Sequence, residues 1–149
     1  MIQKILVPLD GSELAEQALP YAEALAQKFE AELILLWVLQ LPSPVVMSEY
    51  GSMSYVPREE VDDTYAYDYL RDLQDKFSKL KLATRIKIIK SSFVADAIID
   101  LASQEEVDVI VKTTHGRSGI RRWLFGNVAT KVLQQAPCPV FLIRVRQRE

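Results

Sequence analysis

Residues 4–39, "KILVPLDGSELAEQALPYAEALAQKFEAELILLWVL", set two nearly unbroken apolar runs on either side of a helical pattern. The runs Lys4 to Leu9 and Leu33 to Leu39 read as strands, and their continuous Ile, Leu and Val content suits a parallel sheet covered by helices on both faces. Between them Leu14, Ala18, Tyr21, Ala22, Leu25 and Phe29 share one stripe at helical spacing, and Ser12 is placed to cap the first turn. Pro20 falls inside that stripe, where it removes one backbone hydrogen bond and is expected to bend the helix. A strand, a helix and a strand in this order make a crossover connection, so the two strands are expected to be parallel.

The pattern repeats along the chain. Further strands are expected at Thr84 to Ile89, Val107 to Val111 and Val140 to Val145, and further helices at Val61 to Lys79, Val94 to Gln104 and Val128 to Gln135. In "TRIKIIK" Arg85 and Lys87 alternate with Ile86 and Ile88, so one face of this strand can meet water and an edge position is expected. The stretch "QLPSPVVMSEYGSMSYVPREE" has prolines, serines and Gly51 without periodicity and reads as a long loop at about 40–60. That loop is placed either to cover a pocket or to extend a partner surface. The expected fold is a single α/β domain over 1–149, doubly wound, with a five-stranded parallel sheet in the order 3-2-1-4-5 and helices on both faces.

Composition narrows the function classes. Of 149 residues 49% are hydrophobic and 26% charged, with a net charge of −2, the profile of a soluble domain without a basic face for nucleic acid. One cysteine, Cys138, forms no intrachain disulfide or cysteine metal cluster by itself and reads as a small apolar residue between two prolines. No long uncharged apolar stretch suggests a membrane span. The opening "MIQKILVPLD" is interrupted by Pro8 and Asp10 too soon for a signal peptide, so the cytoplasm is the expected location.

Ligands of such sheets lie beyond the carboxyl ends of the strands, where the strand order reverses. Two segments leave those ends with suggestive chemistry, "PLDGS" and "KTTHGRSGIRRWLFGNV". In the second, Gly116 and Gly119 open a loop, Gly126 and Asn127 close it, and Val128 starts a helix whose free N–H groups favour an anion. Asn127 is suited to cap that helix. The spacing matches neither the P-loop nor the dinucleotide fingerprint. Asp10 either accepts hydrogen bonds from a diol or orders the "DGS" turn. Lys112 either snorkels to solvent or points its ammonium into the crevice. Arg117, Arg121 and Arg122 add positive charge or form a solvated loop face, and Trp123 and Phe125 read as packing residues. His115 reads as a local tie of the loop to backbone, since no cysteine or second histidine joins it and no nucleophilic serine motif is present.

"THGRSGIRRWLFGNVATKVLQQAPCPVFLIR", together with "KILVPLDGSELAEQAL", resembles a universal stress protein, and the likeness spans the whole chain. Nucleotide-binding members of that family carry Gly, two residues, Gly, nine residues, Gly, then Ser or Thr. Here Gly116 and Gly126 flank the nine residues, while Thr113 stands for the first glycine and Asn127 for the hydroxyl residue. The resemblance implies an adenine-nucleotide site formed by Pro8, Asp10, Val38, Thr113, Gly116, Arg117, Gly126, Asn127 and Val128, with Asp10 on the ribose hydroxyls and Val38 against the adenine. It implies ATP, with Mg or Mn, in a stress-response signalling module without catalytic residues or a metal site of its own. Any hydrolysis is expected to be slow. It also implies a homodimer through the strand Val140 to Val145. The alternative is a nucleotide-free dimerisation module of the same fold. A phosphoacceptor receiver would need an acidic cluster where Asp10 stands without an acidic neighbour, and a nucleotidylyl transferase would need His-x-Gly-His where this chain has "DGSE".

Overall fold

The computed structural model describes residues 1–41, 45–47, 49–55, 61–115 and 126–145. Its central sheet contains β1 (Lys4–Leu9), β2 (Glu32–Gln40), β5 (Thr84–Ser91), β6 (Val109–Thr113) and β7 (Val140–Ile143), in the order β5-β2-β1-β6-β7. All four pairings are parallel, running from Lys4↔Glu32 to Leu9↔Trp37 between β1 and β2, for example. This is the expected order, with β5 at one edge.

The apolar residues of each strand divide by parity between two cores. Ile5, Val7, Leu33, Leu35, Trp37, Val109 and Val111 face α1 (Glu13–Glu16), α2 (Leu19–Phe29) and α3 (Thr64–Lys79), whose Ala15, Ala22, Leu70 and Phe77 complete one cluster. Leu6, Ile34, Leu36, Val38 and Ile110 face α4 (Val94–Gln104) and α5 (Asn127–Gln135), where Ile98, Leu101 and Val132 complete the other. Near-continuous burial of β1 and β2 explains why their sequences lack alternation.

Several boundaries differ from expectation for identifiable reasons. The first helical pattern is two helices, because Pro20 sits in the first turn of α2, where its missing N–H has no intrahelical partner to lose. Ser12 does cap α1, its Oγ accepting from the Ala15 N–H at 3.1 Å. The next helix starts at Thr64 and not at Val61, since Asp62 accepts from the backbone N–H and hydroxyl of Thr64 at 2.9 and 2.6 Å. The strand expected at Val107 starts at Val109: Val107 N–H closes the end of α4 on Ala102 O, after Glu106 adopts a positive φ of 53°. The long loop is corrected too. It contains an antiparallel hairpin, β3 (Val45–Met47) with β4 (Met53–Tyr55), whose turn uses Gly51 at φ 77°.

The amino-terminal end of the sheet is closed by polar ties. Asp108 accepts from the backbone N–H groups of Gln3 and Lys4 at 2.8 and 2.9 Å, and Arg85 bridges Glu32 and Glu105 at 2.6 and 2.8 Å. The carboxyl-terminal end is left for other chemistry.

Candidate nucleotide crevice

Strand order reverses about β1, so its two neighbours, β2 and β6, connect in opposite directions, and the space beyond their carboxyl ends is where sheets of this kind place a ligand crevice. The first wall is the turn after β1. Asp10 Oδ1 accepts from the N–H and hydroxyl of Ser12 at 3.0 and 2.5 Å, the turn-ordering contact that is one of the two alternatives read from the sequence. Gly11 has φ +78°, and a β-carbon there would lie 2.5 Å from Cη2 of Trp37. The Trp37 ring is held edge-on by Tyr65 and Tyr69, with centroids 5.9 and 5.4 Å away. Tyr69 in turn donates its hydroxyl to the Glu16 carboxylate. Burial, then that carboxylate, raise the Tyr69 pKa well above the usual phenol value and keep it a donor.

The second wall is the end of β6, where Lys112, Thr113 and Thr114 form a buried polar run only 8, 2 and 3% exposed. Thr114 is a local hub: its N–H donates to Ile143 O at 2.9 Å, its hydroxyl accepts from Val145 N–H at 3.2 Å, and its carbonyl accepts from Gly126 N–H at 3.0 Å. That last bond ties the two sides of the 116–125 segment together. Gly126 then occupies the N-cap of α5 at φ −69°. Asn127, expected as the cap, is instead the first helical residue and is exposed. Gly126 has no side chain with which to cap this helix, so the N-cap residue itself leaves the first-turn N–H groups without a side-chain acceptor.

Strand parity sorts the remaining site residues. Pro8 and Val38 are buried on the face of α4 and α5, where Val128 also packs. Lys112 follows Ile110 onto the same face, and continuing the Leu6↔Ile110 register sets it beside Pro8. Thr113 follows Val111 to the opposite face, and its hydroxyl donates to His115 O at 2.8 Å. Gly116 and Arg117 lie outside the described residues, as do Gly119, Arg121, Arg122, Trp123 and Phe125. The His115 ring is beside Gly126, its Nδ1 3.6 Å from where a β-carbon would stand.

Of two further features, Lys112 was left between two alternatives by the sequence and Ser92 was not singled out. Lys112 is buried without a hydrogen bond or ion pair to any described residue, and its pKa is lowered, burial outweighing the opposing field of Asp10. Its signal was a lysine ending an apolar strand. Ser92, in the turn between β5 and α4, buries a hydroxyl oxygen that finds no partner among the described residues. No periodicity announces such an atom.

The family model for the universal stress protein family matches residues 1–144. The chain belongs to the universal stress protein family. A universal stress protein of Bacillus subtilis is 31% identical over 149 residues, covering 97% of this chain and 100% of its own. Among solved structures, the hypothetical protein MJ0577 superposes with a TM-score of 0.80 at 23% identity over 99% of each chain. A universal stress protein in complex with cAMP gives 0.67 at 23% identity, covering 97% of this chain and 98% of its own. A family member from Arabidopsis thaliana with AMP bound gives 0.64 at 17% identity, covering 97% and 92%. At these identities the superpositions establish the universal stress protein fold, in agreement with the sheet order. Among the described residues no helix is long and apolar enough to cross a membrane.

Proposed function

We propose that this universal stress protein binds an adenine nucleotide, ATP with Mg or Mn, beyond the carboxyl ends of β1 and β6, and signals through the 113–127 segment as a cytoplasmic homodimer in a stress response. The observation that carries the reading is that Asp10 after β1, the buried Lys112 of β6 and the N-terminus of α5, tied to Thr114 O by the Gly126 N–H, all lie at the carboxyl ends of adjacent strands where the strand order reverses. Asp10 offers acceptor oxygens to ribose hydroxyls, Pro8 and Val38 offer an apolar surface to the base, and the N–H groups at Asn127 and Val128 offer donors to phosphate. Gly126 adds support. Among the described residues an added β-carbon would meet Thr114 O at 3.4 Å, an ordinary contact, at an ordinary φ. Those neighbours therefore do not demand a glycine, and a phosphate approaching the backbone does. The AMP and cAMP carried by relatives are consistent with the same chemical class.

The role is binding, with no catalytic residue assigned. Hydrolysis, where it occurs, is slower than about one per second, because the carboxylate nearest the crevice is engaged in a turn and no base is nominated to activate water. The homodimer uses β7, an edge strand with Phe141 42% exposed and its ring 5.8 Å from that of Tyr21.

A second reading, the nucleotide-free dimerisation module, is favoured by one observation: Asp10 Oδ1 and the Thr113 hydroxyl already have partners inside the chain. Calorimetry with ATP separates the two. Saturable heat at one nucleotide per chain supports binding, and no heat at about 5 mM ATP, which sets Kd above the millimolar range, leaves the dimerisation module.

A further inference from the structure

Lys112 is the one charged side chain buried among the described residues, and the fold alone gives it little reason to be there. A lysine at a strand end ordinarily snorkels, but this one is only 8% exposed. A buried ion that serves stability is paired, but no described residue hydrogen-bonds or ion-pairs with this ammonium. Its row is apolar: Leu142 is its register partner on one side, Ile110 lies two residues before it, and the Leu6↔Ile110 register, if continued, sets Pro8 on the other side. A methionine would fill that place without the desolvation penalty. The ammonium is therefore held for something that enters the crevice.

Asp10 narrows what that is. Its carboxylate is the charge that acts on Lys112, and it disfavours a simple anion while favouring hydroxyl donors. A ligand that satisfies both must carry hydroxyls and a negative group a few ångströms apart. A ribose with its 5′-phosphate has that arrangement, and the N-terminus of α5 adds a second source of positive potential. We propose that Lys112 reads the phosphate adjoining the ribose, so that the crevice selects nucleotides over nucleosides. The proposal deepens the nucleotide-binding reading and rests on it.

The test compares AMP with adenosine by calorimetry in the wild type, Lys112→Met and Lys112→Gln, together with thermal unfolding of the nucleotide-free proteins. The wild type is expected to prefer AMP at least tenfold, and both variants to lose most of that preference. Without nucleotide, Lys112→Met should unfold about 2–8 °C higher, because a lysine only 8% exposed, without a partner among the described residues, gives way to an apolar side chain. An unchanged AMP-to-adenosine ratio in both variants overturns the proposal while leaving nucleotide binding intact. A lower melting temperature of free Lys112→Met also overturns it, since Lys112 would then be structural. If the wild type binds neither ligand, the nucleotide reading fails, and this proposal with it.

Discussion

Gly11 stands so close to Trp37 that a β-carbon on it would lie 2.5 Å from Cη2 of the indole, and its φ of +78° would strain any L side chain. Both penalties apply to Gly11→Ala. The left-handed backbone costs about 1–2 kcal/mol and overpacking about 1–3 kcal/mol, so a loss of roughly 3 kcal/mol is expected in denaturant unfolding. Because the indole lies between this turn and Tyr65 and Tyr69, nucleotide affinity should fall as well. A loss below about 0.5 kcal/mol, the usual range for an indifferent surface site, would contradict the contact.

Gly126→Ala is expected to behave in the opposite way. With φ −69° and its nearest described contact at 3.4 Å, the substitution should change stability by no more than about 1 kcal/mol. Nucleotide affinity should drop tenfold or more, because the methyl group stands where phosphate must approach the backbone. Equal affinity in the variant would remove the main reason for reading this glycine as a ligand contact.

Thr113→Gly restores the residue type that the family pattern places there, yet affinity should stay within about threefold. The side chain lies on the face of β6 opposite Pro8, Val38 and Lys112, and its hydroxyl is engaged by His115 O. Stability should fall by about 2 kcal/mol, from one lost hydrogen bond and the added freedom of glycine. A large gain in affinity would show that Thr113 obstructs the site after all.

Asp108 links stability to pH at the other end of the sheet. Its pKa is lowered below 3.8, first by the backbone N–H of Gln3 and then by that of Lys4. A depressed folded value means that the contribution is fully present above the unfolded pKa and is lost as pH falls through the folded one. Wild-type stability should therefore decline from just above pH 4 downward, and Asp108→Asn should flatten that decline while costing about 1 kcal/mol at neutral pH. Parallel pH curves for the two proteins would show that these bonds do not couple folding to the carboxylate.

The fold was largely legible because its signals are local and repeated. Unbroken apolar β1 and β2 require cover on both faces, and the charged alternation of Arg85 and Lys87 puts β5 at an edge. The hairpin Val45–Met47 with Met53–Tyr55 was not legible, since three-residue strands carry too little periodicity to stand out among prolines and serines. Shifts at Thr64 and Val109 came from local hydrogen bonds, two accepted by Asp62 and one donated by Val107, which patterns of hydropathy do not encode. At the site, Asp10 and Gly126 could be nominated from their chemistry alone. Which face each residue takes could not: β6 ends two residues later than expected, at Thr113, which brings Lys112 and Thr113 inside the strand, and alternation then sends them to opposite sides.

The most direct test of the central claim is a crystal structure of the protein grown with ATP. The account predicts adenine against Val38 and Pro8, ribose hydroxyls on Asp10, and the phosphates between Lys112 and the N-terminus of α5 at Gly126 to Val128. Nucleotide bound elsewhere, or a crevice that stays empty at saturating ATP while the rest of the chain is ordered, would contradict it.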